Sequence, residues 1–435
     1  MTTKIERGLH ELYQDDPQRA DAVVFGRRTP LGRRGFLKGA GLAAVTASLG
    51  AALPFGRLFP SGLIPAALAA DGDLVIAGKD GLIVLNDRPL NAETPPHLLD
   101  DDVTPNARYF VRNNGIPPET VDPDAWTLTV DGEVHRPLRL TIGELKSRFE
   151  VVRLKLQHEC GGNGRAAFDP PARGNQWTYG AVGNAEWTGV RYGDVLKAAG
   201  LKDTAIYTGH YGADSHLSGD PGKQAISRGA PIAKVMEPHT LIAFAMNGAP
   251  IPALNGAPLR VIAPGWPGSV SQKWLTRIWV RDQVHDGAKM TGKSYRVPAY
   301  PVAPGTKVPT KDFVIIQSMP VKSLITHPRN GLTLAPGQRR LDVRGHAWAG
   351  DLAVQAMDIS SDFGATWQPA KLAAPPNPYS WQRWHATVGF PSHGYYEIWA
   401  RATDQNGRRQ PFAIAWNPKG YLNNSMHRIA VTVPS

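Results

Sequence analysis

A chain of 435 residues with a single cysteine, Cys160, can close no intramolecular disulfide. Its fold must therefore rest on buried apolar surface and hydrogen bonds. The composition permits this, with 42% hydrophobic and 20% charged residues, the balance of a globular protein with a sizeable core. The 38 prolines and 45 glycines favour a loop-rich β or α+β architecture over a helical one. The sequence shows no heptads, internal repeats or long low-complexity segments.

Cys160 follows a short apolar run (Val151, Val152, Leu154, Leu156) and enters the turn Gly161-Gly162-Asn163-Gly164-Arg165. Two readings are open for it. Most free cysteines are small buried hydrophobes. A thiol beside positive charge is instead biased towards thiolate, the form that binds metal or attacks.

Upstream, Arg33-Arg34-Gly35-Phe36-Leu37-Lys38 resembles a twin-arginine export signal. A Gly/Ala-rich apolar stretch follows over residues 39–53, with small residues for cleavage near 67–70. That stretch is too short and interrupted for a membrane span. The signal predicts a periplasmic destination for a protein folded, cofactor included, before export. An unpaired cysteine is unusual for an exported chain and points to a reactive or metal-binding thiol. The residues ahead of the motif suggest no function.

Net charge is +11. Residues 1–70 carry nine basic and five acidic side chains, which leaves about +7 for the mature part. A moderately basic surface suits an anionic substrate or an acidic protein partner. No basic run is interleaved with aromatics, and a periplasmic location argues further against nucleic acid.

Length predicts two domains after cleavage. Residues 1–70 are the signal region, 71–300 an α+β catalytic domain and 301–435 an all-β sandwich. The first opens with an irregular, Pro-rich segment at 86–118. Strands are predicted at 126–130, 151–156, Leu241–Met246 and 259–263. Helices are predicted from Thr141, whose capping box is completed by Glu144, at Tyr192–Ala199 and at 231–236. Four prolines between residues 295 and 309 predict a linker. Beyond it, short alternating segments at 340–345, 352–359, 385–388, 395–403 and His427–Val433 predict a sandwich of immunoglobulin type.

Four motifs in order resemble the sulfite oxidase family of molybdopterin enzymes, nearest to bacterial periplasmic sulfite dehydrogenases. The similarity runs from about residue 90 to the C-terminus. The first motif is Phe110-Val111-Arg112-Asn113-Asn114. There the resemblance implies pterin contacts and an arginine, Arg112, aimed at the substrate oxyanion, with Asn114 where relatives have histidine. The second is the cysteine motif. It implies that Cys160 is the one protein sulfur ligand to molybdenum, beside the dithiolene of molybdopterin, and that Arg165 helps form the anion pocket. Guanidinium forks suit oxyanion edges. The third, residues 187–196, implies a pterin contact for Asp194; read by itself, Asp194 is a carboxylate favoured at a helix N-terminus. The fourth runs from Asn255 through Arg260 to Ser271-Gln272-Lys273-Trp274, and implies that these residues hold the cofactor. In the C-terminal part, Trp416-Asn417-Pro418-Lys419-Gly420 implies a dimerisation domain that lends a cation, here Lys419, to the substrate pocket.

The family tyrosine expected just before residues 230–233 is replaced by Ile226, with Tyr207 and Tyr211 as candidate substitutes. This bears on the choice of substrate. The resemblance implies oxidation of sulfite to sulfate in a homodimer. Two electrons pass to a separate c-type cytochrome, because one cysteine cannot hold a haem through Cys-x-x-Cys-His. Two other readings stand beside it. One keeps the cofactor in a sulfane-sulfur dehydrogenase or S-/N-oxide reductase. The other is an exported immunoglobulin-like binding protein with a structural cysteine.

Overall fold

The computed structural model describes residues 75–435, so the expected export signal lies outside the described residues. The α+β domain is built on two sheets. In the first, Val151–Glu159 pairs antiparallel with Val182–Arg191, which pairs with Leu241–Met246; the short strands Ala249–Pro250 and Arg260–Ile262 add to the latter. In the second, the order is Leu138–Thr141, Thr127–Gly132, Leu275–Arg281, Tyr207–Gly212, with one parallel pairing between Thr127–Gly132 and Leu275–Arg281. A three-stranded sheet of Ile83–Asp87, Leu90–Glu93 and Val111–Arg112 takes up the ends of the expected irregular segment, and the rest of 86–118 is irregular as expected apart from short helical turns.

Two predicted helices carry apolar side chains into the core of these sheets. Ile142–Arg148 starts at Thr141, whose hydroxyl accepts from the Glu144 N–H while the Glu144 carboxylate accepts from the Thr141 N–H. Both donors would otherwise be orphaned at the helix start. Tyr192–Ala199 buries Tyr192, Val195, Leu196 and Ala199, a spacing that puts them on one helical face. Leu128, Leu140, Leu145, Val195, Ile242 and Ile278 meet in one cluster.

The C-terminal part is the expected sandwich. One sheet runs Lys322–His327, Arg340–Trp348, Gln382–Gly389, Lys371–Leu372. The other runs Leu332–Thr333, His427–Val433, Gly394–Asp404, Val354–Ser360, Gln368–Pro369. Gln382–Gly389 alternates strictly between buried and exposed residues, as a strand with one face on a core must. Val343, Ile359, Trp384, Val388, Ile398 and Val431 fill the space between the sheets.

The segment predicted as a linker is not one throughout. Arg296–Pro298 forms a ribbon with Phe313–Ile315, and the residue before it, Tyr295, is buried. Proline is compatible with such a ribbon because it has edges that need no proline N–H.

Three buried histidines make the fold acid-sensitive. The Nδ1 of His427 accepts from the Ile325 N–H, which requires a neutral ring. His346 lies on Trp381 with ring centroids 3.9 Å apart and bonds the Leu99 carbonyl at 2.9 Å. His210 sits among Tyr192, Thr208 and the Val270 carbonyl. Burial, the largest cause in each case, drives His210 and His427 to about 3 and His346 to about 4. The unfolded chain protonates near 6.5, so below that pH it binds more protons than the folded chain. The stability from keeping these rings neutral is complete above pH ~6.5 and drains as pH falls towards 4, by about 1.4 kcal/mol per pH unit for each ring. The urea midpoint is therefore expected to fall steadily between pH 6.5 and 4; a flat profile would contradict this.

Candidate active site

A cavity of about 630 Å³, mouth included, opens where the cysteine strand, the 267–274 loop and the segment around residue 110 converge. The strand Val151–Glu159 extends right up to Cys160, whose N–H donates to the Ala181 carbonyl at 2.9 Å. The Gly268 N–H donates to the Glu159 carbonyl at 2.7 Å and ties the 267–274 loop to the same point. Cys160 is 7% exposed and lines the cavity.

Arg112 lines the wall with Asn114, Ile226 and Tyr295. Its guanidinium donates to the Asn114 Oδ1 at 3.0 Å, to the Tyr295 Oη at 3.3 Å, and to the Asn113 carbonyl. Asn114 Oδ1 also accepts from Lys289 Nζ at 2.8 Å and from the Tyr295 hydroxyl at 3.0 Å. Asn114 thus gathers three donors at one amide oxygen. Burial works against a phenolate at Tyr295, but Arg112 and Lys289 outweigh it and hold the phenol below its ordinary pKa. Burial likewise opposes charge on Arg112, which Tyr295 and Cys160 offset.

Neither tyrosine expected as a substitute for the family tyrosine reaches the site. Tyr207 is buried in its strand, and Tyr211 faces Arg277 and His285; neither lines the cavity. Tyr295 supplies the phenol from the segment read as a linker. No local pattern announces it, because its place is set by stacking on Tyr421, with centroids 5.6 Å apart, and by its N–H donating to the Tyr421 Oη at 3.2 Å.

Arg165 and Lys419 are not on the cavity wall with Arg112. Arg165 lies one layer behind, 4.9 Å from the centroid of the Tyr421 ring, donating to the Lys419 carbonyl at 3.1 Å and the Asn175 carbonyl at 3.0 Å. The backbone approaches it closely: a Cβ on Gly162 would lie 2.3 Å from its Nη2, and one on Gly420, where φ is +60°, 2.7 Å from its Cγ. Lys419 is half-buried; burial, then Arg165, Lys293 and Arg173, lower its pKa.

Among the residues expected to hold the cofactor, Phe110, Asn114, Asn255, Arg260, Ser271, Gln272 and Lys273 line the cavity. Asn113 and Val111 do not. Asn113 accepts from Lys273 behind the wall, and Val111 is packed with Ile76 and Ala92. As alternate residues on a strand, Val111 and Arg112 face opposite ways, so the wall can take only one of them. Asp194 is also off the cavity. It sits in the first turn of the helix Tyr192–Ala199 and pairs with Lys197 at 3.0 Å, the role its helix position gives it. His158, Tyr109, Asp214 and Tyr295 are lining residues to which sequence reasoning attached no role. His158 stands two residues before Cys160, and only its place at the buried end of the strand turns it inward.

The cavity's chemistry fits a polar, anionic cofactor such as molybdopterin. Tyr109 Oη, Ser269 Oγ, Gln272 Oε1 and both ring nitrogens of His158 are buried without a hydrogen-bond partner, and all four residues line it. Buried polar atoms are rarely left unpaired. Arg260 donates to the Asn255 and Ser271 carbonyls at 2.6 and 3.1 Å, and burial lowers it to about 10. Burial, then Arg260, pushes Lys273 well below its ordinary value. Buried cations of this kind call for an anion. Cys160 offers the one soft ligand, suited to a metal bound through sulfur. Among the described residues no cluster of three His, Cys, Asp or Glu could hold a metal ion by itself, so the metal would be carried by the cofactor's own ligands together with Cys160.

Comparison with known proteins agrees. Residues 114–289 match the oxidoreductase molybdopterin binding domain, and residues 313–434 the Mo-co oxidoreductase dimerisation domain. The chain is 34% identical over 360 residues to the sulfite oxidase of Gallus gallus, covering 80% of this chain and 77% of that one. It is 35% identical over 374 residues to the mitochondrial sulfite oxidase of Homo sapiens, covering 81% of this chain and 66% of the relative. Among solved structures, the sulfane dehydrogenase SoxCD from Paracoccus pantotrophus superposes with a TM-score of 0.67 at 25% identity, covering 87% of this chain and 96% of that one. The fold, the cavity and these matches agree that the chain belongs to the sulfite oxidase family of molybdopterin oxidoreductases.

Proposed function

We propose that the protein is a periplasmic sulfite dehydrogenase, exported by the twin-arginine route, that oxidises sulfite to sulfate and passes electrons to a separate cytochrome c. The observation that carries this reading is the meeting of Cys160, Arg112 and Tyr295 in one cavity. Molybdopterin, bound, supplies two-electron oxygen-atom transfer through its metal. The chain's own residues do the rest. Cys160 holds the metal by its thiolate. Arg112 offers a guanidinium edge to a sulfur oxyanion, oriented by Asn114 and Tyr295. Arg165 and Lys419, behind Tyr421, add positive potential that draws an anion inward without touching it. Tyr295 can donate its one proton to a product oxygen by releasing Asn114, which Arg112 and Lys289 still hold. The dimerisation-domain match supports a homodimer.

A second reading, oxidation of sulfane sulfur, is favoured by the likeness to the sulfane dehydrogenase, which spans 96% of that chain. The deciding experiment is steady-state reduction of ferricyanide and cytochrome c by molybdenum-loaded protein, with sulfite and thiosulfate as separate donors. Saturable turnover with sulfite is expected. Turnover with thiosulfate and none with sulfite would replace the first reading by the second.

A further inference from the structure

Residues 76–80 precede every motif of the site, and the functions above leave them without a role. Lys79 Nζ donates to the Asn106 carbonyl at 2.7 Å, the Tyr109 carbonyl at 2.9 Å and the Asn255 Oδ1 at 2.7 Å. An ammonium has three protons, and all are used. Tyr109 and Asn255 both line the cavity, so this one side chain fixes two separate parts of the wall. The arm has further anchors. Ile76 is 8% exposed and shares a cluster with Val111 and Leu254. The Asp80 N–H donates to the Ala107 carbonyl at 2.9 Å.

The short helical turn Ala253–Asn255 is thereby gripped by three cations, of which Arg260 is buried and Lys79 and Lys273 half-buried. Lys79 takes the Asn255 side chain, Arg260 the Asn255 carbonyl at 2.6 Å and Lys273 the Leu254 carbonyl at 2.7 Å. Among the described residues none of the three makes a salt bridge to a carboxylate. Burial lowers Lys79 to about 7. An anionic group bound against Arg260 and Lys273 would favour its charged form.

We propose that Lys79 is a latch: it pins residues 76–80 against the turn Ala253–Asn255 and adds a third cation behind the wall that carries Arg260 and Lys273, so that a bound cofactor would dissociate slowly only while this arm is docked. Lys79 is a positioning residue and acts through Asn255 and Tyr109. The latch rests on the cofactor assignment, which the molybdenum content of the parent protein tests separately.

The test is molybdenum retention, read by mass spectrometry of the metal during dialysis of full-length protein purified from molybdate-supplied cells. The parent, Lys79→Met, Lys79→Arg and Ile76→Ser are compared, with circular dichroism to verify the fold. Lys79→Met is expected to lose molybdenum ~10-fold or more faster than the parent, the size of effect that loss of a supporting group brings to a metal site. Lys79→Arg keeps the charge and is expected to restore most of the retention. Ile76→Ser undocks the arm without altering the cavity wall and is expected to lose metal as Lys79→Met does. Parent-like retention in a folded Lys79→Met overturns the latch. If Lys79→Met does not fold, parent-like retention in Ile76→Ser overturns it. A parent protein without molybdenum would overturn the cofactor assignment and the latch together, a result distinct from a loaded parent whose variants hold metal equally well.

Discussion

Cys160→Ser is expected to leave the protein folded and to remove its molybdenum-dependent turnover. The buried thiol lies at the end of a strand and packs among Leu156, Ala181 and Trp177. Serine is nearly isosteric, and the cost to the fold is that of placing a hydroxyl where the thiol was, about 1–3 kcal/mol. The effect on chemistry is of another order. Losing a group that merely supports a metal ligand costs ~10–100-fold, and losing the only protein thiolate should exceed that, at ~1000-fold or more. The check has two parts: circular dichroism and urea unfolding for the fold, and donor-dependent ferricyanide reduction per molybdenum for the chemistry. A folded, metal-loaded Cys160→Ser with turnover near the parent's would dismiss Cys160 as the metal ligand. A variant that neither turns over nor folds would return the cysteine to the ordinary role of a buried hydrophobe.

Lys322→Met is expected to cost about 3–5 kcal/mol of stability. Glu159, the neighbour of Cys160, is 1% exposed. Its carboxylate accepts from Lys322 Nζ at 2.7 Å, Trp348 Nε1 at 2.8 Å and Asn163 Nδ2 at 3.0 Å. Lys322 and Trp348 belong to the sandwich, whereas Glu159 ends the cysteine strand. Removing the ammonium leaves a buried carboxylate with two neutral donors and no counter-charge, which is the expensive half of a buried pair. The double variant Glu159→Gln with Lys322→Met removes the charge as well and should recover much of the loss. Urea unfolding of the parent, single and double variants measures this directly. A loss below about 1 kcal/mol in the single variant would mean the pair contributes little net. Because Glu159 precedes Cys160, the single variant should also hold molybdenum less firmly.

The regular elements were legible because their signals are local. The capping box from Thr141 to Glu144, the helix Tyr192–Ala199 and the strands Leu241–Met246 and His427–Val433 form where expected. Each is set by side-chain period or by bonds spanning a few residues. The cysteine motif and the basic set Arg260 and Lys273 were legible through resemblance, since no property of those residues taken singly separates a cofactor site from an ordinary basic hairpin. Errors arose where the partner that settles a residue's role, near or far in the chain, differs from the one the resemblance implied. Asp194 was expected at the pterin, but its helix offers Lys197 one turn away. Arg165 was expected beside Arg112, but Tyr421, 256 residues beyond Arg165 in the chain, provides the ring on which it stacks.

By itself the amino-acid sequence determined the class of fold, the order of its two parts and the one thiol able to serve as a soft ligand. These follow from hydrophobic period, turn residues and a count of cysteines. Only the tertiary structure decided which polar groups share a cavity. Tyr295 stands within hydrogen-bond reach of Arg112 and Asn114 although some 180 residues separate it from them. Lys79 reaches Asn255 across 176 residues, and Glu159 meets Lys322 across 163. Buried polar groups are rarely left without a partner, and which partner arrives is settled by the packing of sheets and loops far apart in the chain.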